Sequence, residues 1–375
     1  MKWIDGVEAA TLLGVKPQTL YAYVSRGLIE ARPDPGPQRR SLYSFDDVAA
    51  LRKRGRRSRK RTAIAAGTMA WGDASIATSI STVHRGRLVY RGKDAASLSE
   101  RATLEEVAGL LWEVPSPPSF AASEDDAPTP FVALATLASR RQASFGRGAD
   151  RLSRDAQEAV GAVATACGIA AGAQPLHARL ARLWNCNAAA GEGLRRALVL
   201  VADHELNAST FATRVAASTG APLAACLLAG LCALSGPRHG GATTAVRRLL
   251  EDCAKGAWAA VRDALDRHGF VPGFGHPLYP DGDVRAKALL AHLTLDPPMT
   301  ALAEAVRALT GLAPNIDFAL VALSRWAKLP DDAPFALFLL GRSVGWAAHA
   351  MEQAHTRALI RPRARYEGRM PDGQE

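Results

Sequence analysis

The apolar and polar positions divide this chain into a short N-terminal segment and a much longer helical part. Apolar residues recur at helical spacing near the start, at Val7, Ala10 and Leu13. Gly14 follows them, where a glycine commonly ends a helix, and Pro17 suits the first turn of a second helix. Two helices joined by a glycine-containing turn are typical of a helix-turn-helix.

The residues after this helix pair change in character. Residues 31–41 are rich in proline, glycine and arginine, which excludes a regular helix there. A third helix is predicted to begin after Ser44, whose hydroxyl can accept a hydrogen bond from the backbone of the first turn. The carboxylates of Asp46 and Asp47 would stabilise that helix by interacting with the positive end of its dipole.

Beyond the N-terminal segment, a short β region precedes a long helical one. Residues 75–92 alternate β-branched and polar residues around a glycine, which predicts a pair of strands. From about residue 103 the pattern is helical almost to the end of the chain. Proline and glycine clusters interrupt it at 114–118, 272–282, 296–298 and 329–334. We therefore expect mostly α-helical structure after the strands.

The composition is that of a globular protein. Apolar residues make up 48% and charged residues 22% of the 375 residues, and the abundance of alanine favours helices. The five cysteines form no Cys-x-x-Cys pair, so we expect reduced core cysteines, with neither disulfides nor a metal site. We find no signal-peptide pattern and no apolar run that could span a bilayer. These features predict a bacterial cytoplasmic protein.

The positive charge is concentrated at one end of the chain. Residues 1–62 hold 14 Lys and Arg against 6 Asp and Glu, a charge of +8, so the other 313 residues carry only +2 of the total of +10. A basic run at 52–61 contributes most of this excess. Such a run is either a solvated linker or a site for a polyanion. The asymmetry itself indicates separate domains.

Two of the nine histidines have unusual neighbours. His239 stands in Gly-Pro-Arg-His-Gly-Gly, and His276 stands in Gly-Phe-Gly-His-Pro. Glycines on both sides allow close approach of a ligand to the backbone and allow a loop to present an imidazole. These two histidines are therefore candidates for chemistry.

Two charged residues stand in apolar surroundings. Asp317 lies between isoleucine and phenylalanine, and partial desolvation raises the pKa of such a carboxylate and makes it a better base. The alternative is that Asn315 or Asp317 caps a helix after Pro314. Arg342 lies in a strongly apolar helix, where it needs either an anion or an exposed face.

The N-terminal segment resembles the MerR-like winged helix-turn-helix family. The likeness covers about residues 3–54 and includes the passage Arg39-Arg40-Ser41-Leu42-Tyr43-Ser44-Phe45-Asp46-Asp47. It implies a DNA-binding module at 1–54 and a basic linker at 55–62. The residues implied near DNA are Gln18, Thr19, Tyr21 and Tyr23 on the recognition helix and Arg39 and Arg40 on the wing. The alternative is a module that serves assembly and binds no DNA.

The rest of the chain resembles the citrate synthase family. Six passages occur in that family's order: His204-Glu-Leu-Asn-Ala-Ser-Thr-Phe-Ala-Thr-Arg, Gly-Pro-Arg-His239-Gly-Gly-Ala, Gly-Phe-Gly-His276-Pro-Leu-Tyr, Pro-Asn-Ile-Asp317-Phe, Gly-Arg342-Ser-Val-Gly-Trp-Ala-Ala-His and Arg361-Pro-Arg. The resemblance implies an all-α citrate synthase fold at 63–375, with a large helical domain and a small one at about 245–340. It fades over residues 115–185.

The resemblance also implies roles for the matching residues. Asp317 looks like the base that deprotonates acetyl-CoA, His239 like the donor to the thioester, and His276 like the group that polarises the oxaloacetate carbonyl. The residues that look like oxaloacetate ligands are His204, Arg285, Arg342 and Arg361. Arg361 matches an arginine that reaches the neighbouring subunit, so a homodimer with a shared active site is implied. No cofactor or metal is implied, because acetyl-CoA is a substrate.

Three functions follow as expectations. The first is citrate formation from acetyl-CoA and oxaloacetate, and the second is 2-methylcitrate formation from propionyl-CoA. The third is a DNA-binding transcription regulator whose citrate-synthase-like part senses a metabolite.

Overall fold

The computed structural model describes residues 3–13, 24, 29–33, 41–49, 75–123, 127–364, 366 and 368. The chain separates into two compact units: Met1–Ala77 with Arg363–Glu375, and Thr78–Pro362. The expected boundaries at residues 54 and 62, and the linker between them, lie outside the described residues. The domain limits therefore stay predictions.

The N-terminal unit pairs a helix with a small sheet. Strands β1 (Trp3–Asp5), β2 (Ala31–Pro33) and β3 (Ser41–Ser44) form an antiparallel sheet in the order β1-β3-β2, and helix α1 spans Gly6–Leu13. Residues 45–49 are helical. The predicted cap is confirmed, because Ser44 Oγ accepts a hydrogen bond from the Asp47 N–H at 3.3 Å.

The stripe predicted for α1 is buried only in part. Ala10 is buried and Leu13 packs against the core, whereas Val7 is 78% exposed. Asp5 caps this helix by accepting a hydrogen bond from the Val7 N–H at 2.9 Å. With the helix so placed, Ala9 packs into the core together with Tyr43 of β3.

The second unit opens with a three-stranded antiparallel sheet. Strands β4 (Ser81–His84), β5 (Arg87–Tyr90) and β6 (Lys93–Asp94) lie in the order β4-β5-β6. The predicted strand pair is confirmed, and the short third strand was not foreseen. Gly86 at the β4–β5 turn has a φ of 74°, a conformation that glycine adopts without strain.

The remainder of this unit is helical, as predicted. Its helices are α2 (Ala95–Ser99), α3 (Leu104–Trp112), α4 (Pro130–Ser139), α5 (Ala149–Ala166), α6 (Leu176–Leu183), α7 (Ala188–Leu200), α8 (Ala208–Ser218), α9 (Leu223–Leu234), α10 (Ala242–Asp252), α11 (Ala257–His268), α12 (Val284–Leu290), α13 (Pro297–Thr310), α14 (Ile316–Trp326) and α15 (Ala333–Thr356). A short 3₁₀ turn, Cys253–Lys255, follows α10. Among the described residues, no helix is both long and apolar enough to cross a membrane.

Two hydrophobic clusters form the core of this unit. The larger one includes α3, α7, α9 and α15, and the smaller one includes α10, α11 and α13. Helix α14 belongs to both, since Leu320 and Leu323 join the larger cluster while Phe318 and Val321 join the smaller one. Its first turn, which carries Asp317, therefore lies where the two clusters meet.

Candidate active site

A buried tyrosine and a strand position the loop that carries His204. The Tyr90 hydroxyl lies 3.0 Å from the carbonyl oxygen of Asp203, just after α7. Glu205 has a left-handed backbone with a φ of 51°, and its carboxylate accepts a hydrogen bond from Thr82 Oγ1 at 3.1 Å. These contacts fix the loop on both sides of His204.

His204 is buried and uncharged at neutral pH. Its Nε2 lies 2.9 Å from the Tyr279 hydroxyl, and its ring centroid lies 5.1 Å from that of His276. Burial, followed by the positive charges of Arg285 and Arg342, holds the pKa of His204 well below its usual value. The ring can therefore serve as a neutral hydrogen-bonding group.

His276 lies on a glycine-bounded loop, as its sequence context predicts. Gly273 and Gly275 have φ values of 85° and 72°, and the Gly275 N–H donates to the Ala313 carbonyl at 2.9 Å. Burial lowers the pKa of His276 to about 4. Nδ1 accepts the Leu278 N–H at 3.2 Å, so the proton of the neutral ring lies on Nε2, which is a donor.

Asp317 lies in the first turn of α14, and Asn315 is the residue that caps this helix. Asn315 Oδ1 accepts the N–H groups of Asp317 and Phe318 at 3.0 and 3.4 Å, so the predicted cap is Asn315, and the role of Asp317 stays a prediction. Burial raises the pKa of Asp317 to about 7, although the charge of Arg285 opposes the rise. The carboxylate is thus a stronger base than an ordinary aspartate.

His239 is held by the residues that follow His204. Its Nε2 lies 2.8 Å from Ser209 Oγ and 3.1 Å from Asn207 Oδ1. Burial, then the charge of Arg342, lowers the pKa of His239 to about 3, so this imidazole is also neutral. The loop between α9 and α10 thereby meets the start of α8.

Arg342 offers buried donors that no described residue uses. It is 1% exposed, and its Nε donates to the Val201 carbonyl at 3.0 Å. Both Nη atoms are buried without a hydrogen-bond partner among the described residues. Burial lowers the pKa of Arg342 to about 10, which still leaves the group cationic at neutral pH. A carboxylate would match these two donors.

The other two candidate arginines are placed differently. Arg285 donates from Nε and Nη2 to the two carboxylate oxygens of Asp283, at 3.0 and 2.8 Å. Burial alone would lower the pKa of Arg285, but Asp283 raises it overall. Arg361 lies past the end of α15 and is exposed, and no hydrogen bond or ion pair joins it to the described site.

A buried carboxylate, Asp203, ties the site to the sheet and to α15. Its Oδ2 accepts hydrogen bonds from Ser81 Oγ and lies 3.2 Å from His349 Nε2. A Cβ at Gly345 would lie 2.5 Å from Asp203 Oδ1, so only glycine allows α15 to pack this closely. Arg342 and His204 thus share one rigid support.

Comparison with known proteins identifies the family. The citrate synthase C-terminal domain matches residues 150–363. Citrate synthase 2 of Bacillus subtilis is 30% identical to this chain, with 81% of this chain and 96% of that protein covered. The citrate synthase of Haloferax volcanii is 39% identical to this chain over 48% of its residues. That match spans about half (52%) of the length of the Haloferax volcanii protein.

A solved structure shares the fold. The citrate synthase of Thermotoga maritima aligns with a TM-score of 0.67 at 25% identity, over 80% of this chain and 95% of that one. This chain belongs to the citrate synthase family. The family is one of acyltransferases, and relatives of this chain carry the names citrate synthase and 2-methylcitrate synthase.

The N-terminal match is equally clear. A helix-turn-helix domain matches residues 3–56, so this citrate synthase-family chain carries that domain as an extension. The implied DNA-contacting residues lie outside the described residues: Gln18, Thr19, Tyr21, Tyr23, Arg39 and Arg40. Their role stays a prediction.

Sequence reasoning missed several polar residues that support the site. They are Tyr90, Asp203, Ser209, Tyr279 and Asp283. Two of them had an available signal, because Asp203 directly precedes His204 and Asp283 lies two residues before Arg285. A carboxylate next to a candidate ligand in an apolar stretch could have been read as its partner.

Proposed function

We propose that this chain condenses acetyl-CoA with oxaloacetate to give citrate and CoA. The proposal rests on one arrangement: a carboxylate of raised pKa, Asp317, in a site with neutral imidazoles and the buried Arg342. A thioester methyl group is a very weak carbon acid, so a base and a hydrogen-bond donor must act on it together.

In the first step Asp317 removes a proton from the acetyl methyl group. With a pKa of about 7, it is partly ionised at neutral pH and binds a proton more strongly than an ordinary aspartate. His239 donates a hydrogen bond to the thioester oxygen, where negative charge develops. A neutral imidazole can donate this hydrogen bond and stabilise the enolate without giving up its proton.

In the second step the enolate carbon attacks the ketone carbon of oxaloacetate, and the negative charge passes to the ketone oxygen. His276 donates from Nε2 to the ketone oxygen, and His204 completes the polar wall beside it. Arg342 holds one carboxylate of oxaloacetate through its two buried Nη atoms. Water then hydrolyses the citryl thioester and releases CoA, and the scheme needs no metal or other cofactor.

We also propose a homodimer in which Arg361 completes the neighbouring active site. The support is that Arg361 is exposed beyond α15, whereas the dicarboxylate needs a further cation beside Arg342. Light scattering tests the assembly. Mixing Arg361→Gln with Asp317→Asn tests the sharing, because restored turnover in mixed dimers requires one site to hold both native residues.

Propionyl-CoA is the alternative acyl donor, with 2-methylcitrate as product. Relatives with that name support it. One methylene changes the discrimination by only about 1–3 kcal/mol, so the shared residues do not separate the two substrates.

Release of the CoA thiol tests both reactions. Oxaloacetate is combined with either acetyl-CoA or propionyl-CoA, and the wild type is compared with Asp317→Asn. Asp266→Asn, at an exposed position on α11, is the matched control. We expect the wild type and Asp266→Asn to turn over one of the thioesters. Asp317→Asn should have lost this activity. A folded protein that is inactive with both thioesters would contradict the proposal.

The helix-turn-helix domain favours a second role as a DNA-binding regulator. We propose that it binds DNA upstream of the chain's own coding sequence and that the citrate-synthase part senses a substrate. A gel-shift assay at stated salt tests this, with and without oxaloacetate. Binding that persists after residues 1–62 are removed would overturn it.

A further inference from the structure

A cavity of about 260 Å³ lies away from the site described above. It is bounded by the second half of α10, the end of α14 and the residues just before α15. The apolar part of its wall includes Leu250, Val321 and Pro334. Pockets for drug-sized ligands start at about 300 Å³, so this one suits a smaller molecule.

One buried polar group in the wall has no partner. Ser324 lines the cavity and is 8% exposed, and its hydroxyl forms no hydrogen bond with any described residue. Buried hydroxyls are nearly always hydrogen-bonded, because leaving one unpaired destabilises the fold. Ser324 therefore points to a ligand with a polar group.

The ion pairs of the wall show which cation is left for a ligand. Arg247 pairs with Asp331 at 2.7 Å, and Arg325 pairs with Asp296 at 2.6 Å, so both guanidinium charges are neutralised. The remaining charged side chains of the lining are Lys328 and Glu251, and neither side chain forms an ion pair or hydrogen bond with a described residue. A carboxylate on a ligand can therefore pair with the Lys328 ammonium.

We propose that this cavity binds a small monocarboxylate with an apolar body. The carboxylate would pair with Lys328 and accept a hydrogen bond from Ser324, and the body would pack against Leu250, Val321 and Pro334. Two helices connect the cavity with the active site. Helix α14 carries Asp317 at its other end, and α10 begins just after His239. The proposal concerns binding alone and stands apart from the proposed reaction.

Benzoate is the probe, titrated into the full chain and followed by ligand-detected NMR. We expect saturable binding that is about tenfold weaker in Lys328→Gln and is lost in Ser324→Phe, which fills the cavity. Binding should be unchanged in Arg342→Gln, which controls for benzoate in the active site. Absence of saturation in the millimolar range would overturn the proposal, and so would binding that is insensitive to Lys328→Gln or abolished by Arg342→Gln.

Discussion

The two halves of the site differ in how firmly their polar groups are held. On the side of the larger cluster, Asp203 and His204 are bonded to strands, to a tyrosine and to α15. On the side of the smaller cluster, the carboxylate of Asp317 accepts no hydrogen bond from a described residue. The hydrogen-bonded first half can bind a substrate anion in a fixed position. The second half provides Asp317 as a base with a raised pKa.

This difference has a physical cause. Burial would raise the pKa of Asp203, but its electrostatic and hydrogen-bonding interactions with His349, the charge of Arg342 and the hydrogen bond from Ser81 lower that pKa overall. At Asp317 the charges of Arg285 and Arg342 do not offset burial, and the pKa rises to about 7. Burial without a hydrogen bond from a described residue therefore makes Asp317 the stronger base of the two.

The largest expected effect is at Asp317. Asp317→Asn should lower turnover by about 10²–10⁴-fold, the usual contribution of a general base. Since the folded state raises the pKa of Asp317, its stabilising contribution is present at low pH and is lost as pH rises through about 7. Above that pH the variant should melt no lower than the wild type. A large fall in melting temperature together with the loss of activity would indicate a structural role.

The next largest effects are expected at two buried arginines, one on substrate binding and the other on stability. Arg342→Gln should raise KM for oxaloacetate by about 10²-fold with little loss of stability, because its Nη atoms have no described partner. Arg285→Gln leaves Asp283 buried and unpaired, so it should lower the free energy of unfolding by about 3–5 kcal/mol. Urea unfolding and steady-state kinetics on both variants give the result. Equal losses in the free energy of unfolding for Arg342→Gln and Arg285→Gln would contradict the predicted difference between the two arginines.

A smaller effect concerns pH. The base works in its ionised form, so kcat/KM should fall about tenfold per unit as pH drops below about 7. His239 and His276 stay neutral through this range, because their pKa values lie near 3 and 4. A profile that is flat down to about pH 5 would show that the step does not depend on Asp317 ionisation.

The smallest expected effect is that of the N-terminal extension. The described residues of the site, from Tyr90 to Arg361, all lie within the second unit. Removal of residues 1–62 should therefore change turnover by less than about twofold, since a domain with its own core can fold alone. A truncated protein that is folded but inactive would mean that the extension takes part in the reaction.

Much of this molecule follows from local sequence signals. The strand pair, the succession of helices and the cap at Ser44 were predicted and are present. The stripe predicted for α1 was wrong at Val7, because spacing alone does not show that the Asp5 cap and the sheet turn Ala9 inward.

The site was predicted less completely than the fold. The family motifs led to Asp317 and the histidines, but spacing along the chain does not reveal partners that are distant in sequence. Tyr90 and Asp203 meet only through folding, across a separation of 113 residues. The pairing of Arg285 with Asp283 and the unpaired state of Arg342 likewise depend on tertiary packing.

The placement of α15 has a consequence for how the enzyme is made. This helix supplies Arg342, and its Glu352 accepts a hydrogen bond from the Ser79 backbone, 273 residues earlier in the chain. Contacts between such distant segments form slowly, because a long loop must close before they are gained. A ribosome must therefore release the chain through α15 before the site can form, and activity should return after helical structure when the protein refolds.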